Sequence, residues 1–294
     1  NVSYKVKTKR GRFVFQCLSR IFNEKVIEDY ENVQSYLRTN GLNVPVLLRG
    51  LDNKSYVKED DKIWRVFEFI DHDSISQITP KLSYEAGKIL GKFHKIMYTF
   101  EFQPKFKLEG FHDTKSILKR LNTLIKNPIY QSKTKIAETE INFINNNISN
   151  YYQSPESEKI IIHADPKLAN FLFKKGRIIA LLDLDTMMFN NPLIDIGDAL
   201  RSWCRLKPAT SIFRKEIFEA ALKGYNFESV YKYTKKDAKK AMSLLTLELS
   251  CRYLNDYFEE NYFSFKSEKY KTRAEQNLTR CKRYLEYFKN FNKN

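Results

Sequence analysis

Two short polar segments hold the side chains best suited to chemistry. Asp165 and Asn170 follow the apolar run 160–162, and Asp183 and Asp185 follow a later apolar run. Carboxylate and amide oxygens are ligands that Mg2+ prefers, and a further carboxylate can orient an acceptor hydroxyl and take its proton in phosphoryl transfer. We therefore predict Asp165 as the catalytic base and Asn170 with Asp183 as the metal ligands. Asp185 is a candidate for a second metal or for a substrate contact.

A β-hairpin is predicted between these two segments. Residues 171–173 and 178–182 are aromatic or mostly aliphatic, and they flank a turn at 174–176 that contains a glycine. The strand ends would then bring the polar side chains to one side of a buried unit. The alternative is that each Asp only caps a turn or a helix, but the order of the segments favours a site.

The order of these segments resembles that of kinases, in which H-x-D-x-x-x-x-N precedes D-x-[GD]. The sequence H-A-D-P-K-L-A-N-F-L-F, then L-L-D-L-D-T-M-M and D-I-G-D-A-L-R, resembles the aminoglycoside phosphotransferase and choline kinase superfamily. Within that superfamily it is most similar to the N-acetylhexosamine 1-kinases. One departure is Ala164, where the superfamily usually has Gly.

The resemblance implies an α+β, two-lobed, protein-kinase-like fold. A small N-lobe with an antiparallel sheet would span residues 1–70, and a larger, mainly helical C-lobe would span residues 71–294. ATP and Mg2+ are the implied cofactors. The implied acceptor is the anomeric hydroxyl of an N-acetylhexosamine, which would give the 1-phosphate. In the superfamily an Asp braces the catalytic loop, and here that residue would be Asp195 or Asp198.

The resemblance also assigns nucleotide contacts to the first predicted hairpin, residues 1–18. Asn1 and Ser3 lie at the end of a loop that covers the phosphates, and the start of that loop is expected to precede residue 1. Gln16 stands where kinases place a phosphate-binding Lys, although the hexosamine kinases place Gln near this point. Arg20 is a candidate for supplying the missing positive charge.

Two further elements complete the predicted nucleotide site. Apolar residues recur at helical spacing from Glu24 to Thr39, and the resemblance gives Glu31 the role of the helix Glu that faces the phosphate-binding strand. A solvated surface position is the alternative for Glu31. The predicted strand 62–70 ends like the hinge that pairs with adenine, and its candidate contacts are Glu68, Phe69 and Ile70.

The predicted acceptor contacts lie in two later segments. The loop G-F-H-D-T contains His112 and Asp113, although Asp113 is equally suited to be the N-cap of the following helix. The segment 247–257 places Glu248, Arg252 and Asp256 on one helix face. Tyr262 follows this segment. Both segments resemble the hexosamine kinases. The alternative for the helix face is a ladder of surface charges.

The remaining predicted elements are helical, apart from a strand in the segment that begins at Gly41. Apolar spacing predicts helices over 82–100, 116–124, 136–152, 211–225, 235–258 and 278–288, and one that begins at Asp195. His94 falls on the apolar side of its helix, which favours a buried, hydrogen-bonded histidine over a catalytic one.

Composition limits the other functional classes. The 294 residues are 42% hydrophobic, which indicates a folded chain, and no apolar run reaches the roughly 18–20 residues needed to cross a bilayer. Four widely separated cysteines argue against a disulfide framework and favour a cytoplasmic protein. The net charge of +16 is spread along the chain, which favours a solvated basic surface over a nucleic-acid site. The expected partners are a nucleotide and an amino sugar.

Rival functions remain open at the level of sequence. The acceptor could be choline, homoserine or an aminoglycoside. Choline would require an aromatic cage, which 18 tyrosines do not rule out. An aminoglycoside would require an acidic pocket, and the basic composition counts against that. Gln16 also motivates a catalytically inactive, nucleotide-binding kinase-like protein.

Overall fold

The structure is a computed structural model that describes residues 1–75, 77–154, 156–206 and 210–293. The predicted α+β class is confirmed, with an antiparallel sheet near the N-terminus and mainly helices after it. The strands are β1 (Val2–Thr8), β2 (Gly11–Cys17), β3 (Val57–Glu59), β4 (Lys62–Glu68), β5 (Ile160–Ile162), β6 (Phe171–Lys174), β7 (Arg177–Leu181) and β8 (Met188–Asn190). The helices are α1 (Lys25–Thr39), α2 (Pro80–Tyr98), α3 (Thr114–Leu124), α4 (Gln131–Ile136), α5 (Glu138–Asn147), α6 (Pro192–Trp203), α7 (Lys215–Glu228), α8 (Lys235–Glu259) and α9 (Arg273–Lys293).

The described residues form two compact units. The first contains 1–109, 158–195 and 219–232, and the second contains 110–157, 196–218 and 233–294. The lobe boundary predicted near residue 70 lies inside the first unit, and the predicted division into lobes stays a prediction. Within the described ranges, no helix combines the length and the apolar character that crossing a bilayer requires.

The four-stranded sheet of the first unit has the order β1-β2-β4-β3, so β4 is an interior strand as predicted. The strand predicted from Gly41 is wrong, because only an isolated bridge forms between Leu47 and Phe67 of β4. Pro45 has no N–H to donate to a ladder, and its carbonyl accepts a hydrogen bond from the Tyr30 hydroxyl at 2.7 Å. Backbone pairing therefore begins only beyond Pro45.

The strands near the candidate site form two small antiparallel pairs. The hairpin of β6 and β7 confirms the prediction, and β5 pairs with the unpredicted β8. Helix α6 begins at Pro192, earlier than expected at Asp195. Proline is well suited to the first turn of a helix because that turn needs no N–H donor there.

The first unit also contains a close contact between α2 and the C-terminal part of α7. A side-chain carbon at Gly87 would lie 2.1 Å from the carbonyl oxygen of Ala221, so this contact requires glycine. The buried side of α2 includes Phe93 and His94, which are both 0% exposed. This side supports the strand β5 that leads into Asp165.

The second unit is helical, and α8 packs against α3 and α9. The prediction of one helix over 136–152 is wrong, because α5 covers only Glu138–Asn147 and a short 3-10 helix, Ile148–Tyr151, follows it. Helix α5 ends at Asn147, where the side-chain Nδ2 donates to the Phe143 carbonyl at 2.7 Å. Such a side-chain bond competes with the backbone hydrogen bond that would continue the helix.

Candidate active site

One cavity of about 550 Å3 lies within the first unit. It brings together nine of the predicted site residues: Asn1, Ser3, Gln16, Glu68, Phe69, Ile70, Asp165, Asn170 and Asp183. Side chains that the sequence did not single out complete it, among them Tyr30, Arg65, Phe67, His72, Lys167, Leu172 and Leu182. The cavity therefore joins the predicted hinge to the predicted catalytic and metal-binding residues.

The predicted catalytic loop begins where the fully buried strand β5 ends. The Lys167 Nζ forms an ion pair with Asp165 Oδ2, and Asn170 Nδ2 donates to the Asp165 carbonyl at 2.7 Å. The Leu182 N–H donates to the Asn170 carbonyl at 2.8 Å. These bonds connect the loop to the segment that carries Asp183.

Asp195 anchors the backbone at the start of the same loop. Its carboxylate, which is 0% exposed, accepts hydrogen bonds from the backbone N–H groups of His163 at 2.7 Å and Ala164 at 2.6 Å. A third bond comes from His94 Nε2 at 2.9 Å, and the other ring nitrogen of His94 bonds the Tyr225 hydroxyl. His94 is thus buried and fully bonded, as predicted. Of the two predicted candidates for the brace, Asp195 makes these contacts, and Asp198 pairs with Arg201.

The departure at Ala164 coincides with an unusual backbone conformation. Ala164 has a φ of 65° and is 1% exposed. The left-handed conformation costs a non-glycine residue about 1–2 kcal/mol, whereas glycine loses roughly 0.5–1 kcal/mol in chain entropy and the buried methyl contributes about 0.8 kcal/mol. These terms nearly cancel.

We therefore expect Ala164→Gly to change the free energy of unfolding by less than about 1 kcal/mol, measured by urea denaturation. Ala164→Val is the contrasting variant, because a β-branched side chain at this φ adds strain of about 1–3 kcal/mol. A glycine variant as destabilised as the valine variant would contradict this account of Ala164.

Asp183 and Asp185, the carboxylates predicted as metal or substrate contacts, follow the end of β7. Asp183 adopts a left-handed backbone with a φ of 60°. Burial raises its pKa, and the negative charges of Asp185 and Asp165 raise it further. A divalent cation beside Asn170 and Asp183 would remove this charge repulsion, and both side chains offer the oxygen ligands that Mg2+ prefers. The residues present therefore fit Mg2+.

The donor set also fits the way in which Mg2+ is bound to nucleotides. Among the described residues, no three His, Cys, Asp or Glu side chains form a metal-binding cluster. Mg2+ is commonly held by one or two protein ligands, and phosphate and water oxygens complete its shell. Asn170 and Asp183 would supply the protein ligands in such an arrangement.

Asp185 does not line the cavity but bonds two residues that do. Arg65 Nη2 donates to its Oδ2 at 2.6 Å, and Asn1 Nδ2 donates to the same oxygen at 2.7 Å. Arg65 Nε in turn donates to Gln16 Oε1 at 2.9 Å, and Gln16 Nε2 donates to Ser3 Oγ at 2.9 Å. A hydrogen-bonded row therefore crosses β1, β2 and β4 and ends at Asp185.

Glu31 and Arg20, which were predicted near the nucleotide phosphates, do not join this row of hydrogen-bonded side chains. Glu31 bonds Arg49 Nη2 at 2.6 Å and the Ser55 hydroxyl, so the prediction that it faces the phosphate-binding strand is corrected. Arg20 is exposed and does not line the cavity. Arg65 takes the position beside Gln16, and the available signal was a charged residue within the interior strand I-W-R-V-F. The signal for Lys167 was its place two residues after Asp165.

The predicted acceptor residues of the loop before α3 make internal contacts in the second unit. His112 Nδ1 bonds Glu248 Oε1 at 2.8 Å, and the Thr114 hydroxyl donates to the other oxygen of Glu248. Burial raises the pKa of Glu248, but these partners outweigh burial and the net pKa is lowered. Asp113 caps α3 by accepting from the Ser116 N–H at 3.1 Å, which is the alternative considered for it.

The remaining acceptor candidates surround Arg252 on α8. Its guanidinium lies 5.0 Å from the Phe111 ring and 5.4 Å from the Tyr262 ring, and Nη2 donates to the Tyr262 hydroxyl at 2.8 Å. Tyr262 is 53% exposed. Asp256 is buried and accepts from the N–H groups of the turn 261–263, so it holds the turn that carries Tyr262. Arg252 and Tyr262 are the partly exposed members of this cluster.

Comparison with known proteins decides the family. The model of the phosphotransferase enzyme family matches residues 1–231. The chain belongs to the phosphotransferase enzyme family. A homoserine kinase from Gluconobacter oxydans is 22% identical over 249 residues, which cover 82% of this chain and 73% of that protein.

Solved structures related to this phosphotransferase share its fold. An amicoumacin kinase in complex with AMP-PNP and Ca2+ has a TM-score of 0.68 at 17% identity and covers 96% of this chain and 84% of its own. A microcompartment-associated aminopropanol kinase has a TM-score of 0.65 at 16% identity, with 96% and 86% covered. These similarities confirm the predicted kinase-like fold of the phosphotransferase.

Proposed function

We propose that this phosphotransferase transfers the γ-phosphoryl group of ATP to a hydroxyl of a small molecule. The observation that carries the proposal is the single cavity shared by the hinge residues and by Asp165, Asn170 and Asp183. Apolar side chains such as Phe67 and Leu172 line this cavity and suit the adenine ring of a nucleotide. The carboxylates of the cavity suit a metal-bound phosphate chain. AMP-PNP in the related amicoumacin kinase supports a nucleotide in this cavity.

Asp165 is the proposed catalytic base. Its carboxylate would accept a hydrogen bond from the acceptor hydroxyl and take the proton as the new bond to phosphorus forms and the bond to the leaving ADP oxygen breaks. Lys167 pairs with that carboxylate. The Asn170 side chain holds the Asp165 carbonyl, and Asp195 anchors the preceding backbone. Positioning and charge neutralisation therefore account for most of the expected acceleration.

Asn170 and Asp183 are the proposed ligands of Mg2+. When bound, Mg2+ neutralises the phosphate oxygens on which negative charge accumulates. The side chains themselves orient the phosphates relative to Asp165, because the Leu182–Asn170 backbone bond ties the two segments together.

The proposed acceptor is an N-acetylhexosamine, phosphorylated on its anomeric hydroxyl. Support comes from the motifs that resemble the hexosamine kinases and from the Arg252 cluster. Arg252 and Tyr262 together offer a fixed N–H donor group and an exposed aromatic ring. Such a pairing suits a ligand that has both polar groups and an apolar face.

Homoserine is the second candidate acceptor, favoured by the similarity to the homoserine kinase along most of the chain. Homoserine carries an ammonium and a carboxylate, and a site for it would need a partner for each charge. Arg252 is a candidate for the carboxylate partner. The two candidates thus predict different acceptors for the same catalytic residues.

A panel of acceptors tests the proposal by measuring ADP release with Mg2+ and ATP. The panel contains N-acetylglucosamine, N-acetylgalactosamine, homoserine, choline, aminopropanol and an aminoglycoside. We expect an N-acetylhexosamine to give the highest kcat/KM and the product to lose its reducing end. The methyl glycoside of the same sugar is the matched control, because it lacks the anomeric hydroxyl, and it should not react.

The other outcomes separate the alternatives. A preference for homoserine would assign the enzyme to the second candidate. Phosphorylation of the methyl glycoside would place the reaction on another hydroxyl. No turnover with any acceptor, together with nucleotide binding that Mg2+ does not affect, would indicate an inactive nucleotide-binding protein.

A further inference from the structure

Arg65 is a charged side chain in the interior strand of the sheet, and it faces the nucleotide cavity. It pairs in register with Gln16 on β2, so both side chains lie on the same side of the sheet. Arg65 is 2% exposed and belongs to the lining of the cavity. A buried guanidinium is rarely found without a specific partner or role.

The surroundings of Arg65 hold the guanidinium in one orientation. Its central carbon lies 4.9 Å from the Phe67 ring and 5.7 Å from the Tyr30 ring. Gln16 accepts from Nε, and Asp185 accepts from Nη2. Among the described residues, no acceptor meets the buried Nη1. A buried N–H group without an acceptor is unfavourable, so this atom has the capacity to bind a ligand oxygen.

The usual cation for nucleotide phosphates in kinases is a Lys on the strand, paired with a helix Glu. In this chain Gln16 stands at the strand position, and the predicted helix residue, Glu31, bonds Arg49 and Ser55 instead. Arg65 and Asp185 form a buried ion pair beside Gln16. The chain therefore has a different cation–carboxylate pair at the same cavity.

We propose that Arg65 is the fixed cation that binds the phosphate chain of the nucleotide, and that Gln16 and Asp185 position it. This inference rests on the proposed function, because it requires a nucleotide in the cavity. Asp185 is then an anchor for the guanidinium, not a ligand of a second metal and not a substrate contact. Arginine suits this role because its planar N–H groups match phosphate oxygens.

The test compares the binding of ATP and of adenosine by calorimetry, first without divalent metal. Arg65→Met is expected to weaken ATP binding by roughly tenfold to a hundredfold, the range for hydrogen bonds to charged groups, and to leave adenosine binding unchanged. Arg65→Lys should lose less ATP affinity, since it keeps the charge. Arg10→Met is the matched control, because Arg10 is an exposed arginine of the same sheet region, and it should bind both ligands like the wild type.

A double variant tests whether any loss of ATP binding results from misfolding. Arg65→Met leaves the buried carboxylate of Asp185 without its cation, so Arg65→Met combined with Asp185→Asn removes both charges. We expect this double variant to fold, as judged by circular dichroism, and to bind ATP no better than adenosine. Asp185→Asn alone should weaken ATP binding less than Arg65→Met does, because the guanidinium is retained, and Mg2+ should still strengthen its ATP binding.

The results that would overturn the inference are distinct. If the double variant prefers ATP as the wild type does, or if only Arg20→Met loses that preference, Arg65 is not the phosphate-binding cation. If Asp185→Asn abolishes the effect of Mg2+ on ATP binding, Asp185 is a metal ligand and not an anchor. If the wild type itself binds ATP no better than adenosine with and without Mg2+, the proposed function fails as well.

Discussion

Replacing Asp165 with Asn is expected to lower kcat by roughly 10²- to 10⁴-fold, the range associated with a general base. The amide of Asn has nearly the same shape but cannot take a proton from the acceptor. Binding of ATP should survive, because Asp165 contacts the acceptor in this mechanism and Arg65, Asn170 and Asp183 serve the phosphates. Steady-state kinetics with the best acceptor and calorimetry with ATP measure the two effects separately.

Asp52→Asn is the control for the loss of one carboxylate. Asp52 is exposed, and its side chain accepts a hydrogen bond from the Lys54 N–H, which an amide oxygen can also do. This variant should turn over like the wild type. A kcat near the wild-type value for Asp165→Asn would show that Asp165 is not the base. Equal loss of turnover and of ATP affinity would instead indicate a role in nucleotide binding.

Asp195→Ala is expected to reduce the free energy of unfolding by about 3–5 kcal/mol, because it removes a buried carboxylate and leaves its hydrogen-bond donors unsatisfied. The substitution leaves the N–H groups of His163 and Ala164 and the ring of His94 without the acceptor that each has now. The loop before Asp165 would lose its anchor, so turnover should also fall. Urea denaturation measures the stability, and Asp52→Asn, an exposed change that keeps a hydrogen-bond acceptor, should stay within about 0.5 kcal/mol of the wild type.

The stabilisation by Asp195 should depend on pH in a defined direction. Burial raises its pKa, but the hydrogen bond and charge of His94 and the contacts with His163 outweigh burial, and the net pKa is lowered. A carboxyl whose pKa is lower in the folded state than its unfolded value of about 3.9 stabilises the protein above that pH. This contribution is lost as the pH falls through the folded-state pKa. The difference between wild type and Asp195→Ala should therefore be largest at neutral pH and shrink in acid, and a difference that grows below about pH 4 would contradict the assignment.

The Arg65 pair changes how the departure at Gln16 is interpreted. From sequence, Gln16 motivated the hypothesis of an inactive protein, because the phosphate-binding Lys is missing. In the structure, Gln16 accepts a hydrogen bond from Arg65 and donates one to Ser3. Gln16 thus has a role in holding a cation at the cavity, and its presence no longer favours inactivity.

The amino-acid sequence was sufficient to predict the hairpin of β6 and β7 and most of the helices. These features depend on local patterns: alternation and turn residues predict the hairpin, and apolar spacing predicts the helices. Nine of the predicted site residues line one cavity, and most of them were assigned from the resemblance to a known family. The predictions of a strand from Gly41 and of one helix over 136–152 were wrong. In both segments a local feature, at Pro45 and at Asn147, interrupts the regular backbone hydrogen bonds.

Which charged side chains form ion pairs depends on the packing of elements that are distant in the chain. Arg65 and Asp185 are 120 positions apart, and their side chains join because β4 and the segment after β7 pack at the same cavity. Glu31 had the spacing expected of a phosphate-site residue but bonds Arg49 and Ser55. A residue's spacing along the chain specifies the face of its own element, whereas its ion-pair partner depends on how distant elements pack.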